Sequence, residues 1–108
     1  MKSYFVYIMT NTWHTVLYTG MTGRGAERIQ EHRNRMVPSF TSRYYLNKVV
    51  FAEAFSTPTE AAAAEKRIKG WTRKKKITLI ESINPNWDDL LEEDHPLSNL
   101  LEPRNTKP

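Results

Sequence analysis

The sequence predicts an α+β domain in which a small sheet, antiparallel or mixed, is covered by helices in the order β-β-α-β-α-α. Three observations carry this expectation. Two β-rich segments near the start, Tyr4–Met9 and Val16–Thr19, are separated by a gap short enough for a hairpin. A third segment, Lys48–Phe55, is again rich in β-branched and aromatic residues. Two helical stretches then follow, each with its own start signal. Segments with apolar faces must bury them, and helices laid on a sheet are the economical way.

The elements follow in order. Tyr4–Met9 is apolar on both faces, as a strand covered on both sides should be. Thr10-Asn11-Thr12 is a turn signal, and the second strand runs from Val16 to its end at Gly20. A polar loop with Gly23 and Gly25 leads to a helix over about 26–36, which Pro38 stops. Residues 39–46 read as an irregular connection before the third strand. Thr57 is a good N-cap, Pro58 suits the first helical position and Glu60 completes a capping box. Ala61 to Ala64 are strong helix formers, and Gly70 closes the helix. Thr72 caps another helix, running to about Ser82, with Ile77, Ile80 and Ile83 on or near its buried side. Asn84-Pro85-Asn86 stops it, and Trp87–Glu93 is expected to form one or two helical turns.

The chain of 108 residues fits one domain over 1–92, followed by a loosely held tail over 93–108. With 39% hydrophobic and 26% charged residues it reads as a soluble globular protein. The absence of cysteine excludes disulfides and thiolate metal sites and suits a reducing, cytoplasmic setting. The apolar run near the N-terminus is too short to span a membrane, so no membrane partner is expected. The formal net charge of +4 conceals an asymmetry. Residues 1–84 carry 14 Lys/Arg against 6 Asp/Glu, whereas 85–108 carry 2 against 6. A basic body favours a polyanion, and nucleic acid is the expected partner.

Several residues stand out chemically. Arg28 and His32, one helical turn apart, share a side at the edge of the stripe formed by Ile29 and Met36. Glu65 is read in the middle of the face set by Ala61, Ala64 and Ile68, where a carboxylate is costly unless paired or bound to a cation. Two readings are open there: an ion pair, with Arg28 as partner, or a ligand to a divalent metal. One carboxylate with waters and substrate oxygens suits a single Mg²⁺ or Mn²⁺. Tyr7 and Tyr18 lie on adjacent predicted strands. Phenols ordinarily ionise near pH ~10, so a catalytic one needs a neighbouring cation or metal-bound water. Lys66, Arg67, Lys69, Arg73, Lys74, Lys75 and Lys76 form a dense basic run around Trp71, suited to phosphate backbones.

This constellation resembles the GIY-YIG nuclease superfamily. Val6-Tyr7-Ile8 stands where the first triplet does and Tyr18-Thr19-Gly20 where the second does, with Val and Thr at packing positions. Arg28-x-x-x-His32 matches the family's arginine–histidine helix, and Glu65 its metal-binding glutamate. The stretches Phe40–Tyr44, Glu65–Trp71 and Asn84–Leu90 are similar in kind to the small single-domain bacterial branch. The resemblance covers about residues 3–90 and implies a three-stranded antiparallel sheet flanked by three or more helices. It implies metal-dependent cleavage of DNA phosphodiesters, with Tyr7 as general base and Arg28 neutralising transition-state charge. Glu65 would hold one Mg²⁺ or Mn²⁺, His32 would tune Tyr7 or carry its proton, and Tyr18 would orient phosphate or water. Where some members have Lys after the second triplet this chain has Met21, which puts more weight on His32. Arg24 and Asn84 are further candidates to assist, Arg24 as a nucleic-acid contact.

The expectation is therefore a monomeric, divalent-metal-dependent DNA endonuclease without a small-molecule cofactor, structure-selective in repair or recombination, with RNA left open as substrate. The alternative is a non-catalytic nucleic-acid-binding module on the same fold. A partner-binding adaptor using the acidic tail and Trp87 would explain the tail but leave Glu65 unexplained.

Overall fold

The computed structural model describes residues 3–23 and 46–91. The predicted helix over 26–36, most of the connection 39–46, and the tail lie outside the described residues. Three strands form one antiparallel sheet: β1 (Tyr4–Thr10), β2 (Leu17–Thr22) and β3 (Lys48–Phe55), in spatial order β2-β1-β3. Two helices follow, α1 (Pro58–Lys69) and α2 (Arg73–Ile83).

β1 takes the centre, buried on both faces and paired along both edges. Phe5 to Thr10 are all buried. Phe5, Tyr7 and Met9 point to one core, with Leu46, Val49, Ala52 and Leu90. Val6 and Ile8 point to the other, with Val50, Phe51, Ala61, Ala64, Ile68, Ile80 and Trp87. Pairing shifts by one between Ile8 and Met9, which face Phe51 and Val49 respectively. The residue skipped is Val50, so Val50 and Phe51 both join the second core, as a β-bulge allows. β2 runs two residues past the expected stop at Gly20, because Gly20, Met21 and Thr22 pair with Tyr7, Val6 and Phe5.

α1 starts where expected. Thr57 is extended, and its Oγ1 accepts from the Glu60 N–H at 3.2 Å, a cap worth about 1 kcal/mol. The Glu60 carboxylate accepts from the Ser56 hydroxyl at 3.4 Å. Ala61, Ala64 and Ile68 lie against the second core, and α1 packs over β1, β2 and β3. Gly70 ends the helix with φ −84°, a right-handed value open to any residue. Thr72 then caps α2, its Oγ1 accepting from Lys75 N–H at 3.2 Å. Ile80 is fully buried on α2, while Ile77 and Ile83 are half-buried beside it.

The segment after α2 departs from expectation. Residues 87–91 are not helical; they lie along β3. The Leu90 N–H donates to the Val49 carbonyl at 2.7 Å, and Asp89 Oδ1 accepts from the Val49 N–H at 3.0 Å. The Asn84 amide donates to the Val50 carbonyl at 3.0 Å and to the Asp88 carbonyl at 2.9 Å, and its Oδ1 accepts from the Asp88 N–H at 3.0 Å. These bonds use backbone groups that a helix over 87–93 would have needed, and they cover part of an otherwise open sheet edge. Asn84, expected as a helper in the site, is a buried clamp on β3.

Candidate active site

Tyr7 and Tyr18 meet on one face of the sheet because of register. Tyr7 stands opposite Gly20 on β2, and Tyr18 is two residues earlier on the same face as Gly20. The Tyr7 ring leans across the glycine. A Cβ at position 20 would lie 2.7 Å from the Tyr7 hydroxyl, 2.8 Å from its Cζ and 3.2 Å from Tyr18 Cε2. Tyr7 itself is fully buried against Phe5, Met9, Leu46, Val49, Ala52 and Leu90, while Tyr18 is half-buried at the margin of that cluster. The two phenols are thus brought side by side over the one residue in β2 that leaves them room.

Glu65 sits differently from expectation. Along α1 it lies about 70° from the centre of the face formed by Ala61, Ala64 and Ile68, so it borders the core rather than entering it. Its side chain is 21% exposed, and Oε2 accepts an ion pair from Lys69 Nζ at 3.0 Å, one turn away. α1 covers the sheet face opposite to Tyr7. A lone carboxylate at a helix edge, already holding a cation, fits a divalent ion that keeps most of its water ligands. Among the described residues no three His, Cys, Asp or Glu side chains converge, so a cage of protein ligands is not built there.

Arg24, Arg28 and His32, expected at the site, lie outside the described residues. Lys66 and Lys74 are exposed. The Lys75 ammonium lies over the Trp71 ring at 4.4 Å, a cation–π contact that steadies the start of α2. Arg73 is tied to the β1–β2 turn: its guanidinium donates to the carbonyls of His14 and Thr15, the latter at 3.3 Å.

That turn holds a cluster the sequence reading missed. The His14 ring stacks on Trp87 with centroids 4.5 Å apart, and Lys48 Nζ lies 3.1 Å from His14 Nε2. An ammonium has no lone pair, so Lys48 donates and His14 accepts as the neutral Nδ1–H tautomer. Burial first, then the charges of Lys48 and Arg73, hold the His14 pKa below its ordinary value. Only the turn signal at Thr10–Thr12 pointed to this region, and nothing local marks residues 48, 73 and 87 as its neighbours. No helix among the described residues is long and apolar enough to cross a membrane.

Residues 3–78 match the family described as "GIY-YIG catalytic domain". The chain is 36% identical over 83 residues to the UPF0213 protein YazA of Bacillus subtilis, covering 74% of this chain and 80% of that one. It is 33% identical over 81 residues to a UPF0213 protein of Staphylococcus aureus strain Mu3, covering 75% and 98%. Its fold is similar to the solution NMR structure of the UPF0213 protein BH0048 from Bacillus halodurans, with TM-score 0.52, 27% identity, and 79% and 89% of the two chains covered. With the match running from β1 through both triplets and Glu65 into α2, this chain belongs to the GIY-YIG family.

Proposed function

We propose that this protein is a divalent-metal-dependent endonuclease hydrolysing DNA phosphodiester bonds, acting on structured DNA in repair or recombination from residues 1–92. The observation that carries this reading is the pairing of Tyr7 and Tyr18 over Gly20. A pair of phenols held side by side on the two triplets of a GIY-YIG domain, with a glycine between them leaving the room they need, is placed to serve a reacting phosphate. Tyr7 accepts the proton of the attacking water and passes it on through His32. Tyr18 orients the phosphate, and Arg28 offsets charge that grows on its oxygens. Glu65 would hold the single Mg²⁺ or Mn²⁺, which would supply Lewis-acid stabilisation of the leaving oxygen. Arg24, Lys66, Lys69, Arg73, Lys74, Lys75 and Lys76 contribute positive potential for the phosphate backbone. Lys69, paired with Glu65, would balance its charge in the metal-free protein.

A binding module on the same fold remains the competing reading, and the basic run would serve it equally. The test is a cleavage screen over branched, nicked, single-stranded and duplex DNA and structured RNA, with Mg²⁺ or Mn²⁺ and with Glu65→Gln as control. Metal-dependent cutting abolished by Glu65→Gln is the expected result. Tight binding without cutting on every substrate would assign the chain to the binding module.

A further inference from the structure

Among the described residues one large apolar side chain stands in solvent: Trp13, 74% exposed, at the tip of the β1–β2 turn. Exposed tryptophans on floppy loops carry little information, but this turn is rigidly held. Asn11 is buried, and its Oδ1 accepts from the N–H groups of Thr15 at 2.8 Å and Val16 at 3.3 Å. Its amide donates to Thr15 Oγ1 at 2.6 Å. Thr10 Oγ1 donates to the Val16 carbonyl at 2.7 Å, and the Asn47 amide donates to Thr12 Oγ1 at 2.9 Å. His14 takes a left-handed φ of 58°, is stacked on Trp87, and its carbonyl is held by Arg73. The residues on both sides of Trp13 are therefore fixed, so the indole is presented to solvent from a preorganised mount. Burying an indole recovers a large apolar area, so leaving it out on a rigid mount marks a contact surface.

The chemistry around the indole identifies the occupant. Arg73 ties the turn to the N-terminal end of α2, which continues as Lys74, Lys75 and Lys76, and Lys48 at the start of β3 donates to His14 of that turn. Two of the carboxylates near this turn are engaged within the fold. Glu81 accepts from Trp87 Nε1 at 2.8 Å, and Asp89 Oδ1 accepts from the N–H groups of Val49 and Leu91. An exposed aromatic face on a turn that a dense run of cations adjoins fits a base stacked next to its own phosphates. Trp13 is six residues from Tyr7, so the two lie within about 20 Å of one another, a span of a few nucleotides.

We infer that Trp13 is a stacking platform for an unpaired nucleobase, with Lys48 and the lysines of α2 holding the adjacent phosphates, so that the preferred substrate is DNA carrying a single-stranded segment beside the cut. This rests on the nucleic-acid reading above and adds to it the substrate class. A base in a duplex offers its face only at an end, whereas an overhang, gap or fork offers it freely.

The test compares fluorescence-anisotropy titrations of the full chain with a labelled fork and a labelled blunt duplex of equal length, in EDTA so that no cutting occurs. Trp13→Ala is expected to weaken fork binding about tenfold, since one stacked base contributes that order of affinity, and to change duplex binding less than about twofold. Trp13→Phe should restore most of the loss, and an unchanged melting temperature for both variants would exclude misfolding. Equal losses on fork and duplex, or no loss on either, would overturn the platform while leaving the nucleic-acid reading intact. Failure of the wild type to bind either probe would overturn both. Sedimentation equilibrium covers the other occupant: a wild-type dimer that Trp13→Ala dissociates would overturn the inference by assigning the indole to a second copy of the chain.

Discussion

The Tyr7 hydroxyl fills the space that a side chain at Gly20 would need, since a Cβ there would stand 2.7 Å from the phenol oxygen. The requirement is one of room, set by the β1–β2 register that faces Tyr7 with Gly20. Tyr7 is buried on every other side, so the ring cannot simply swing away. Gly20→Ala is expected to cost about 1–3 kcal/mol of stability by overpacking and to misplace the phenol. Urea unfolding and cleavage rates check both, and a fully active Gly20→Ala would show that the position of Tyr7 is not critical.

Glu65 has a partner, Lys69, in an ion pair that is half exposed on the lysine side. Such i,i+4 pairs contribute about 0.3–0.5 kcal/mol, so Glu65→Gln should leave the melting temperature almost unchanged without metal. If Glu65 is the metal ligand, Mn²⁺ should raise the wild-type melting temperature and leave that of Glu65→Gln alone, with cleavage lost. Thermal melts with and without Mn²⁺ decide it. A variant destabilised by several kcal/mol without metal would return Glu65 to a structural role.

Thr19 Oγ1 is buried and has no hydrogen-bond partner. It belongs to the second triplet, on the opposite face of β2 from Tyr18. Thr19→Val keeps the shape and removes the stranded hydroxyl, so a stabilisation of about 1 kcal/mol is expected. Chemical denaturation measures it. A destabilised Thr19→Val would mean that the hydroxyl is satisfied in solution.

The Lys74, Lys75 and Lys76 run should reveal itself through salt. Replacing all three with Ala should flatten the slope of log affinity against log salt by roughly 2–3 units if each neutralises a phosphate. Lys75 already lies over Trp71, and Lys76 is half-buried, so Lys74 is expected to give the largest single effect. An unchanged slope would make the run a solvated surface.

His14 gives the fold a pH dependence of known sign. Burial and the charges of Lys48 and Arg73 lower its pKa, so the unfolded chain binds the proton more readily than the folded one. Its contribution is intact above the ordinary value near 6.5 and declines as the pH falls below that toward the folded pKa. Melting temperatures measured from pH 8 to 5.5 should fall less steeply for His14→Gln than for the wild type. Parallel curves would place the pH dependence elsewhere.

Local chemistry was legible wherever one short segment decided the outcome. The third strand, the Thr57 and Thr72 caps and the Pro58 start appear as read, because caps and strand patterns depend on residues within a turn of each other. The family set of Tyr7, Tyr18 and Glu65 was legible as order and spacing. Gly70 was read as closing α1 and is its C-cap, with a right-handed φ of −84°.

What the sequence determined by itself was thus the three strands and the two described helices, their boundaries to within a few residues, and the residue types able to do phosphodiester chemistry. Tertiary structure alone decided that β1 is central, that Tyr7 lies over Gly20, that Glu65 borders the core, that Asn84 clamps β3, and that His14, Lys48, Arg73 and Trp87 gather at one turn. All but the placing of Glu65 join residues on different elements, the turn cluster across as many as 73 positions between His14 and Trp87. Local propensity carries no information about such distant pairs. They are fixed only when two apolar faces of one strand are buried at once, which sets the register and brings everything else into place.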